Sequence, residues 1–115
     1  MDPVLFYKCL ADDTRLRCML LIHSQQELCV CELVEAMQMS QPKISRHLAQ
    51  LRQCGLLSDR RQGQWVFYSL NEGLPNWARQ VIAQTAEGQG DFFGSDLEKL
   101  AQMKSRPERQ TCSEE

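Results

Sequence analysis

The sequence lacks the features that would assign it to a membrane, secreted or enzymatic class. No apolar run in its 115 residues approaches the ~20 that a helix needs to cross a bilayer. Residues 1–13 contain no basic leader followed by an apolar region and a cleavage site, so we expect no signal peptide and a cytoplasmic protein. No phosphate-cradling glycine loop, Ser/His/Asp arrangement or parallel-sheet pattern is present, so we expect no enzyme.

Positive charge does not exceed negative charge over the whole chain, with 13 Lys and Arg against 15 Asp and Glu, but it is concentrated in one segment. The whole chain carries a net charge of −2 at pH 7. Residues 41–64 nevertheless have a net charge of +4, from one acidic side chain and five basic ones: Lys43, Arg46, Arg52, Arg60 and Arg61. A basic patch on an acidic body is the electrostatic footprint of a protein that binds DNA.

Cysteine is abundant for a chain of this length, with six residues at positions 9, 18, 29, 31, 54 and 112. An even count can indicate a disulfide framework, but such a framework requires an oxidising compartment. In the cytoplasm we expect reduced thiols, with Cys9, Cys18 and Cys54 as small apolar residues of the core. Cys29 and Cys31 differ from these because they form a Cys-x-Cys pair.

Apolar periodicity predicts a mainly α-helical chain with one small β-hairpin. Ser40 is a suitable N-cap for a helix with Pro42 in its first turn, and Gly55 can end that helix. Aromatic and β-branched residues after Gly63 predict the hairpin. The predicted helices span residues 4–10, 13–22, 30–37, 41–53 and 75–86, with a weaker helix at 95–103. We divide the chain into a domain at 1–90, a weak C-terminal helix at 91–104 and a disordered tail at 105–115.

Two helices joined by a short turn and followed directly by a hairpin have the order of a winged helix-turn-helix. On the second helix, Ile44, Leu48 and Leu51 share one stripe, which leaves a polar, cationic face for a major groove about 12 Å wide. A solvated face on a small helical protein is the alternative, and the hairpin favours DNA binding. The expected DNA contacts are Ser40, Gln41, Lys43, Ser45, Arg46, His47, Arg60, Arg61, Gln62 and Gln64.

The thiol pair, Cys29 and Cys31, lies at the start of the predicted helix that precedes the DNA-binding one. In a regular helix these side chains are about 200° apart, so they could hold one ion only if the helix start were unwound. A helix N-terminus also favours the thiolate form, which binds soft metals and metalloids. Two small residues without a ligand are the alternative interpretation.

Three segments together closely resemble the ArsR/SmtB family of metal-sensing repressors, and most closely its arsenic-responsive branch. The segments are ELCVCEL at 27–33, SQPKISRHL at 40–48 and DRRQGQWV at 59–66. The resemblance covers about residues 5–80. It implies a homodimeric winged-helix repressor, with a dimer interface built by the first and last long helices. It also implies release of double-stranded operator DNA when As(III) or Sb(III) binds.

The resemblance implies an arsenite site of three thiolates, two of them from Cys29 and Cys31. The best-known arsenic sensors carry a third cysteine where this chain has Val34. Either the site binds a two-thiolate form, such as a methylated arsenic(III) species, or another thiol completes it. The candidates are Cys112, Cys9, Cys54, Cys18 and a thiol of a partner chain.

Other ligand chemistry is possible in this family. A zinc site of the type found on the last helix is absent, because residues 74–90 contain no histidine. A repressor that responds to cadmium or lead, or to oxidation of Cys29 and Cys31, remains an alternative, as does a winged helix that binds protein instead of DNA. Our hypothesis for the arsenic sensor is that binding draws the two thiols together, distorts the first helical turn and shifts the adjacent DNA-binding helix.

Overall fold

The computed structural model describes residues 1–109, which fold into a mainly helical domain with a small antiparallel sheet. This confirms the predicted winged helix-turn-helix architecture. The helices are α1 (Pro3–Leu10), α2 (Asp13–Gln25), α3 (Val30–Met37), α4 (Gln41–Gln53), α5 (Asn76–Gly88) and α6 (Gly90–Gln102). The strands are β1 (Leu28–Cys29), β2 (Leu57–Gln62) and β3 (Trp65–Leu70).

Local side chains determine where helices α2 and α4 begin, and a glycine marks where α4 ends. The Asp12 carboxylate accepts a hydrogen bond from the Arg15 N–H at 3.0 Å and caps α2. The Ser40 hydroxyl accepts one from the Lys43 N–H at 3.4 Å and caps α4, as the sequence predicts. After α4 the chain reverses at Gly55, whose φ of +84° is accessible to glycine without a steric penalty.

The sheet has the strand order β1-β3-β2, with both pairings antiparallel. The β2–β3 hairpin is the predicted wing, and Gly63 with φ of +61° lies at its tip. Strand β1 was not predicted, because two residues are too few to show an alternating pattern. Its pairing sets Cys29 opposite Phe67 on the central strand.

One apolar core lies beneath α4 and joins it to the other helices. The predicted stripe of Ile44, Leu48 and Leu51 is fully buried. Burying a leucine or isoleucine side chain stabilises a fold by about 1.5–3 kcal/mol, so this stripe fixes which face of α4 points outward.

Helix α6 is longer than predicted and belongs to the same core. Phe93 and Leu100 are buried in it, and α6 packs against α2 and α3. The Asp96 carboxylate, only 2% exposed, accepts two hydrogen bonds from the Arg17 guanidinium at 2.9 and 2.6 Å. Helix α6 therefore packs on the same core as the helices that precede it.

The segment that follows α6 packs back onto the fold within the described residues. Residues 103–109, which we call the C-terminal strap, return to the start of α3, where Arg106 and Arg109 form salt bridges with Glu32. Polar composition predicts disorder in this segment. Composition alone does not reveal that Arg106 and Arg109 pair with Glu32, which is buried and distant in the sequence. The remainder of the predicted tail, residues 110–115, lies outside the described residues.

The expectation that all thiols are reduced is wrong for one pair. Cys9 in the last turn of α1 and Cys54 at the end of α4 form a disulfide. The two residues are 45 positions apart and meet only because α1 packs beside the end of α4, which local sequence does not reveal. Cys18 is the buried core residue that was expected, and burial raises its pKa to about 12.

None of the helices within residues 1–109 is long and apolar enough to span a membrane.

Candidate functional site

Cys29 is the N-cap of α3 and not part of the helix. Its backbone is extended, with φ of −82° and ψ of 154°, and its Sγ accepts a hydrogen bond from the Cys31 N–H at 3.2 Å. Glu32 completes a capping box, because its carboxylate accepts a hydrogen bond from the Cys29 N–H at 2.8 Å. The helix boundary therefore falls between the two thiols, and the 200° separation expected within a helix does not apply to them.

The two thiols differ in environment. Cys29 is 2% exposed, whereas Cys31 is partly exposed. Burial raises the pKa of Cys31 to about 12, and its hydrogen bond to Cys29 and the charges of Cys29 and Glu32 act in the same direction. Burial therefore opposes the thiolate form that a helix N-terminus favours at Cys31, and a metal or metalloid that bonds to this sulfur must displace its proton.

Both thiols line a cavity of about 340 Å³ between the start of α3, the helix α4 and the wing. Four of the expected DNA-contacting residues line the same cavity: Gln41, Ser45, Arg61 and Gln64. A group bound to the thiols would therefore lie directly beside the surface that we expect to contact DNA.

The Glu32 carboxylate lies under the thiol pair and is fully buried. Arg106 Nε and Arg109 Nη2 each donate a hydrogen bond to it at 2.5 Å. Burial alone would raise the pKa of Glu32, but the hydrogen bonds from Arg109, the Cys29 N–H and Arg106 together hold it below the ordinary value of 4.5. The strap thus neutralises a charge that also positions Cys29.

Most of the expected DNA-contacting side chains form one accessible surface. On α4 and its cap, Ser40, Gln41, Lys43 and Arg46 are exposed, and Ser45 is half-buried. On the wing, Arg61 and Gln64 are exposed. The backbone N–H groups at the start of α4 lie at this same surface, where a phosphate group can accept hydrogen bonds from them.

His47 does not face outward with these residues. Its imidazole is mostly buried, and Nδ1 lies 3.9 Å from the Asp12 carboxylate. Burial lowers the pKa of His47 despite the nearby Asp12, so the ring is neutral at physiological pH. Its place is at the contact between α4 and the start of α2.

Two expected DNA contacts on the wing have partners within the chain. Arg60 donates hydrogen bonds to both carboxylate oxygens of Glu27, at 2.7 and 2.8 Å, and its guanidinium carbon lies 4.7 Å from the centre of the Phe67 ring. The Gln62 amide donates to the Glu108 carbonyl of the strap at 2.8 Å. Arg109 lies over the same Phe67 ring at 4.7 Å, so the strap is tied to both the wing and α3.

The candidates for a third thiol ligand are separated by the fold. Cys9 and Cys54 are joined to each other at the far end of α4, and Cys18 is in the core. Cys112 lies outside the described residues. Within residues 1–109, no cluster of three or more His, Cys, Asp or Glu side chains could hold a metal ion.

An apolar patch lies away from the thiols and the wing. Val4, Leu5 and Tyr7 of α1 are between 46% and 60% exposed. Trp77 of α5 is 38% exposed, and its ring lies 4.9 Å from that of Phe6. Large apolar side chains grouped in this way are typical of a protein–protein contact.

Comparison with known proteins confirms the resemblance. The family model described as bacterial regulatory protein, arsR family, matches residues 12–59. The arsenic resistance transcriptional regulator ArsR1 of Pseudomonas putida is 49% identical over 108 residues, which span 94% of this chain and 84% of that protein. The arsenical resistance operon repressor of Escherichia coli K12 is 45% identical over 111 residues, spanning 96% of this chain and 89% of that protein. The structure of HlyU from Vibrio cholerae N16961 matches with a TM-score of 0.69 and 31% identity, covering 76% of this chain and 91% of that one.

The lowered pKa of Glu32 predicts a pH-dependent contribution to stability. Because the folded-state pKa lies below the ordinary value of 4.5, the contribution is full above that value and is lost as the pH falls through the folded-state pKa. We expect Glu32→Gln to lower the free energy of unfolding most at neutral pH, with the difference from the original chain shrinking below about pH 4. Urea unfolding of both chains from neutral pH to below about pH 4 measures the difference in unfolding free energy.

The matched control is Glu35→Gln, which neutralises an exposed carboxylate on the same helix. Its effect on the unfolding free energy should be small, within about 0.5 kcal/mol. A Glu32→Gln difference that does not change with pH would show that the Glu32 charge contributes nothing to the fold.

Proposed function

The chain belongs to the ArsR family of bacterial regulatory proteins, and we propose that it is a repressor whose inducer is As(III) or Sb(III), held by Cys29 and Cys31. Members of the family are DNA-binding transcriptional regulators and not enzymes. The observation that carries the proposal is the single cavity shared by both thiols and by Gln41, Ser45 and Arg61. DNA as the partner also supports a cytoplasmic location.

The relatives support the choice of inducer. ArsR1 of Pseudomonas putida and the Escherichia coli repressor are named for arsenic or arsenical resistance, and the alignments span almost the whole of this chain. Thiolates are soft ligands, and soft metals and metalloids are the ions that such ligands select.

The cap hydrogen bond provides a route from the thiols to the DNA-binding helix. A metalloid bonded to the Cys29 sulfur competes with the Cys31 N–H for the same atom, and loss of an N-cap typically costs about 1 kcal/mol. The first turn of α3 must then adjust, and α3 packs against α4. This replaces our earlier hypothesis, because the two thiols are not held on opposite sides of a helix.

We assign the third thiolate for inorganic As(III) to Cys112. Arg109, three residues before it, donates a hydrogen bond to the Glu27 carbonyl at 3.1 Å and another to Glu32. Cys9, Cys18 and Cys54 are at the other end of α4 or in the core, which argues against them. A methylated arsenic(III) species needs only the two thiolates of the pair.

A homodimer is also part of the proposal. The exposed apolar residues of α1, together with Trp77 of α5, offer a surface for this contact. A second copy of the chain would bury this patch and present two α4 helices to successive turns of operator DNA, about 10 base pairs apart.

The proposed DNA surface predicts that removal of two exposed cationic side chains, one on α4 and one on α6, has unequal effects on operator binding. We expect Arg46→Ala to weaken operator binding by about 1–3 kcal/mol if Arg46 contacts a base, and to reduce the salt dependence if it contacts a phosphate. Lys99→Ala is the charge-matched control, on an exposed position of α6 away from the wing. Fluorescence anisotropy at several salt concentrations measures the operator dissociation constant of each variant. Equal dissociation constants for the two variants would contradict the placement of α4 at the DNA interface.

The inducer assignment predicts that arsenite raises the operator dissociation constant of the original chain by about 5–150-fold, the usual range of coupling between two sites. In the Cys29→Ser/Cys31→Ser variant we expect the same titration to leave binding unchanged. Cys18→Ser is the control that removes a thiol from the core. Release of the double variant by arsenite would refute the assignment, and release of the original chain by cadmium or lead but not by arsenite would favour the alternative inducer class.

The third ligand predicts a difference between two arsenicals. We expect Cys112→Ser to weaken the response to inorganic arsenite by at least about tenfold, because a pairwise interaction of ~1.4 kcal/mol is lost. The response to phenylarsine oxide, which offers arsenic only two sites for thiolates, should be unchanged. Equal arsenite responses in Cys112→Ser and the original chain would exclude Cys112 while leaving the thiol pair in place.

A further inference from the structure

The Cys9–Cys54 disulfide lies apart from both the thiol pair and the exposed DNA surface. We propose that Cys9 and Cys54 are a second, redox-active thiol site, oxidised by hydroperoxides and reduced by cellular dithiols. In the oxidised form the repressor holds its operator more tightly than in the reduced form. This goes beyond the response to metalloids and does not depend on it.

The disulfide links two helices that have different proposed roles. Cys9 lies in the last turn of α1, and Cys54 is the C-cap residue of α4. The loop closed between them, a sequence separation of 45, contains the whole helix-turn-helix. The bond therefore fixes the DNA-binding helix relative to α1, the helix that carries the exposed apolar patch.

The pair is accessible to small reagents. Both residues line an open cavity of about 240 Å³ on the protein surface. Lys8 and Arg15 line the same cavity, and neighbouring cations favour the thiolate form that reacts with oxidants and with disulfides. Cys9 is 6% exposed and Cys54 is half-buried, so a hydroperoxide or a reducing thiol would approach the pair at Cys54.

The surrounding structure is compatible with both oxidation states. Arg15 donates one hydrogen bond to the Cys9 carbonyl at 2.7 Å and another to the Gln50 side chain at 2.9 Å. This bridge joins the end of α1 to α4 without the disulfide, so the reduced thiols would stay close together. The Cys9 sulfur also lies 3.8 Å from the Gln50 carbonyl oxygen, which can accept the S–H hydrogen when the bond is open.

The cell interior, where we expect this protein to act, favours a reversible disulfide and not a permanent structural one. A transcriptional regulator works on DNA in the cell interior, where glutathione and thioredoxin keep most thiols reduced. Disulfides found there are usually transient, and many serve in redox sensing.

The chemistry is balanced without a bound cofactor. One thiolate attacks a peroxide oxygen, the O–O bond breaks, and a sulfenic acid and water are formed. The second thiolate displaces hydroxide from the sulfenic acid to form the S–S bond, so two thiols and one hydrogen peroxide yield one disulfide and two waters. A cellular dithiol reverses the step by thiol–disulfide exchange and is itself oxidised.

The direction of the effect follows from preorganisation. The loop enclosed by the bond includes α3 and α4, so the oxidised chain has fewer arrangements of the DNA-binding helix to lose on binding. The reduced chain retains the Arg15 bridge but regains that freedom, and its operator affinity falls.

The experiment compares peroxide-treated and dithiol-treated samples of the full chain without any arsenical. Peptide mapping with trypsin should show the fragments 9–15 and 53–60 linked after peroxide and separate after reduction. We expect the operator dissociation constant to be about tenfold lower in the oxidised sample, within the usual range for coupled sites. Cys18→Ser, which keeps the pair, should show the same difference.

Cys9→Ala and Cys54→Ala should each bind operator equally in the two samples, within about twofold, well below the usual coupling range. Serine variants at the same positions repeat the test with a side chain close in size to cysteine. The proposal is overturned if no linked peptide forms, if the original chain binds equally in both states or more weakly when oxidised, or if the difference persists without Cys9. None of these outcomes bears on the response to arsenite.

Discussion

The negative charge of Glu32 is the constraint on which the rest of the site depends. An ionised carboxylate removed from water is strongly unfavourable unless charged and hydrogen-bonded partners surround it. Here the partners are the Cys29 N–H and the two strap arginines, Arg106 and Arg109. One side chain thus fixes the start of α3, orients the residue that carries a thiol, and draws the C-terminal strap against the wing. The stacking of Arg109 on Phe67, beside Arg60, extends the same arrangement into the sheet.

The proposed ligand site and the proposed DNA surface are adjacent because β1 and α3 meet at the thiol pair, which lies beside α4 and the wing. Strand β1 ends at Cys29 and α3 begins one residue later, so the thiol pair lies at a junction between the sheet and the helical core. The wing and α4 enclose that junction on its open side. A change at the thiols therefore has a short path to the DNA contacts, through packed neighbours and not through a long chain of intermediates. In the proposed mechanism, this proximity couples ligand binding to DNA binding without the large conformational change that other regulators use.

Much of this fold could be predicted from the sequence, because its determinants are local. The bounds of α3, the Ser40 cap and the buried stripe of α4 are confirmed, since periodicity and capping involve residues within a few positions of each other. Contacts between distant segments could not be predicted in this way. The pairing of Cys9 with Cys54, the engagement of Arg60 by Glu27 and the docking of the strap all depend on tertiary packing. Strand β1 was missed for a different reason, its length, and with it the extended conformation that makes Cys29 a cap.

A sulfur atom serving as a helix cap has a consequence for selectivity against common ions. The Cys29 sulfur already accepts a hydrogen bond, and burial raises the pKa of Cys31 to about 12, which favours the protonated thiol. An incoming ion must therefore form bonds to sulfur strong enough to replace one interaction and to expel a proton. Magnesium and calcium prefer oxygen ligands and gain little from sulfur, so abundant hard cations would leave the helix start undisturbed. In the proposed site, the cap hydrogen bond therefore selects for thiophilic species. The common cations of the cell would not displace it and would not release the repressor from DNA.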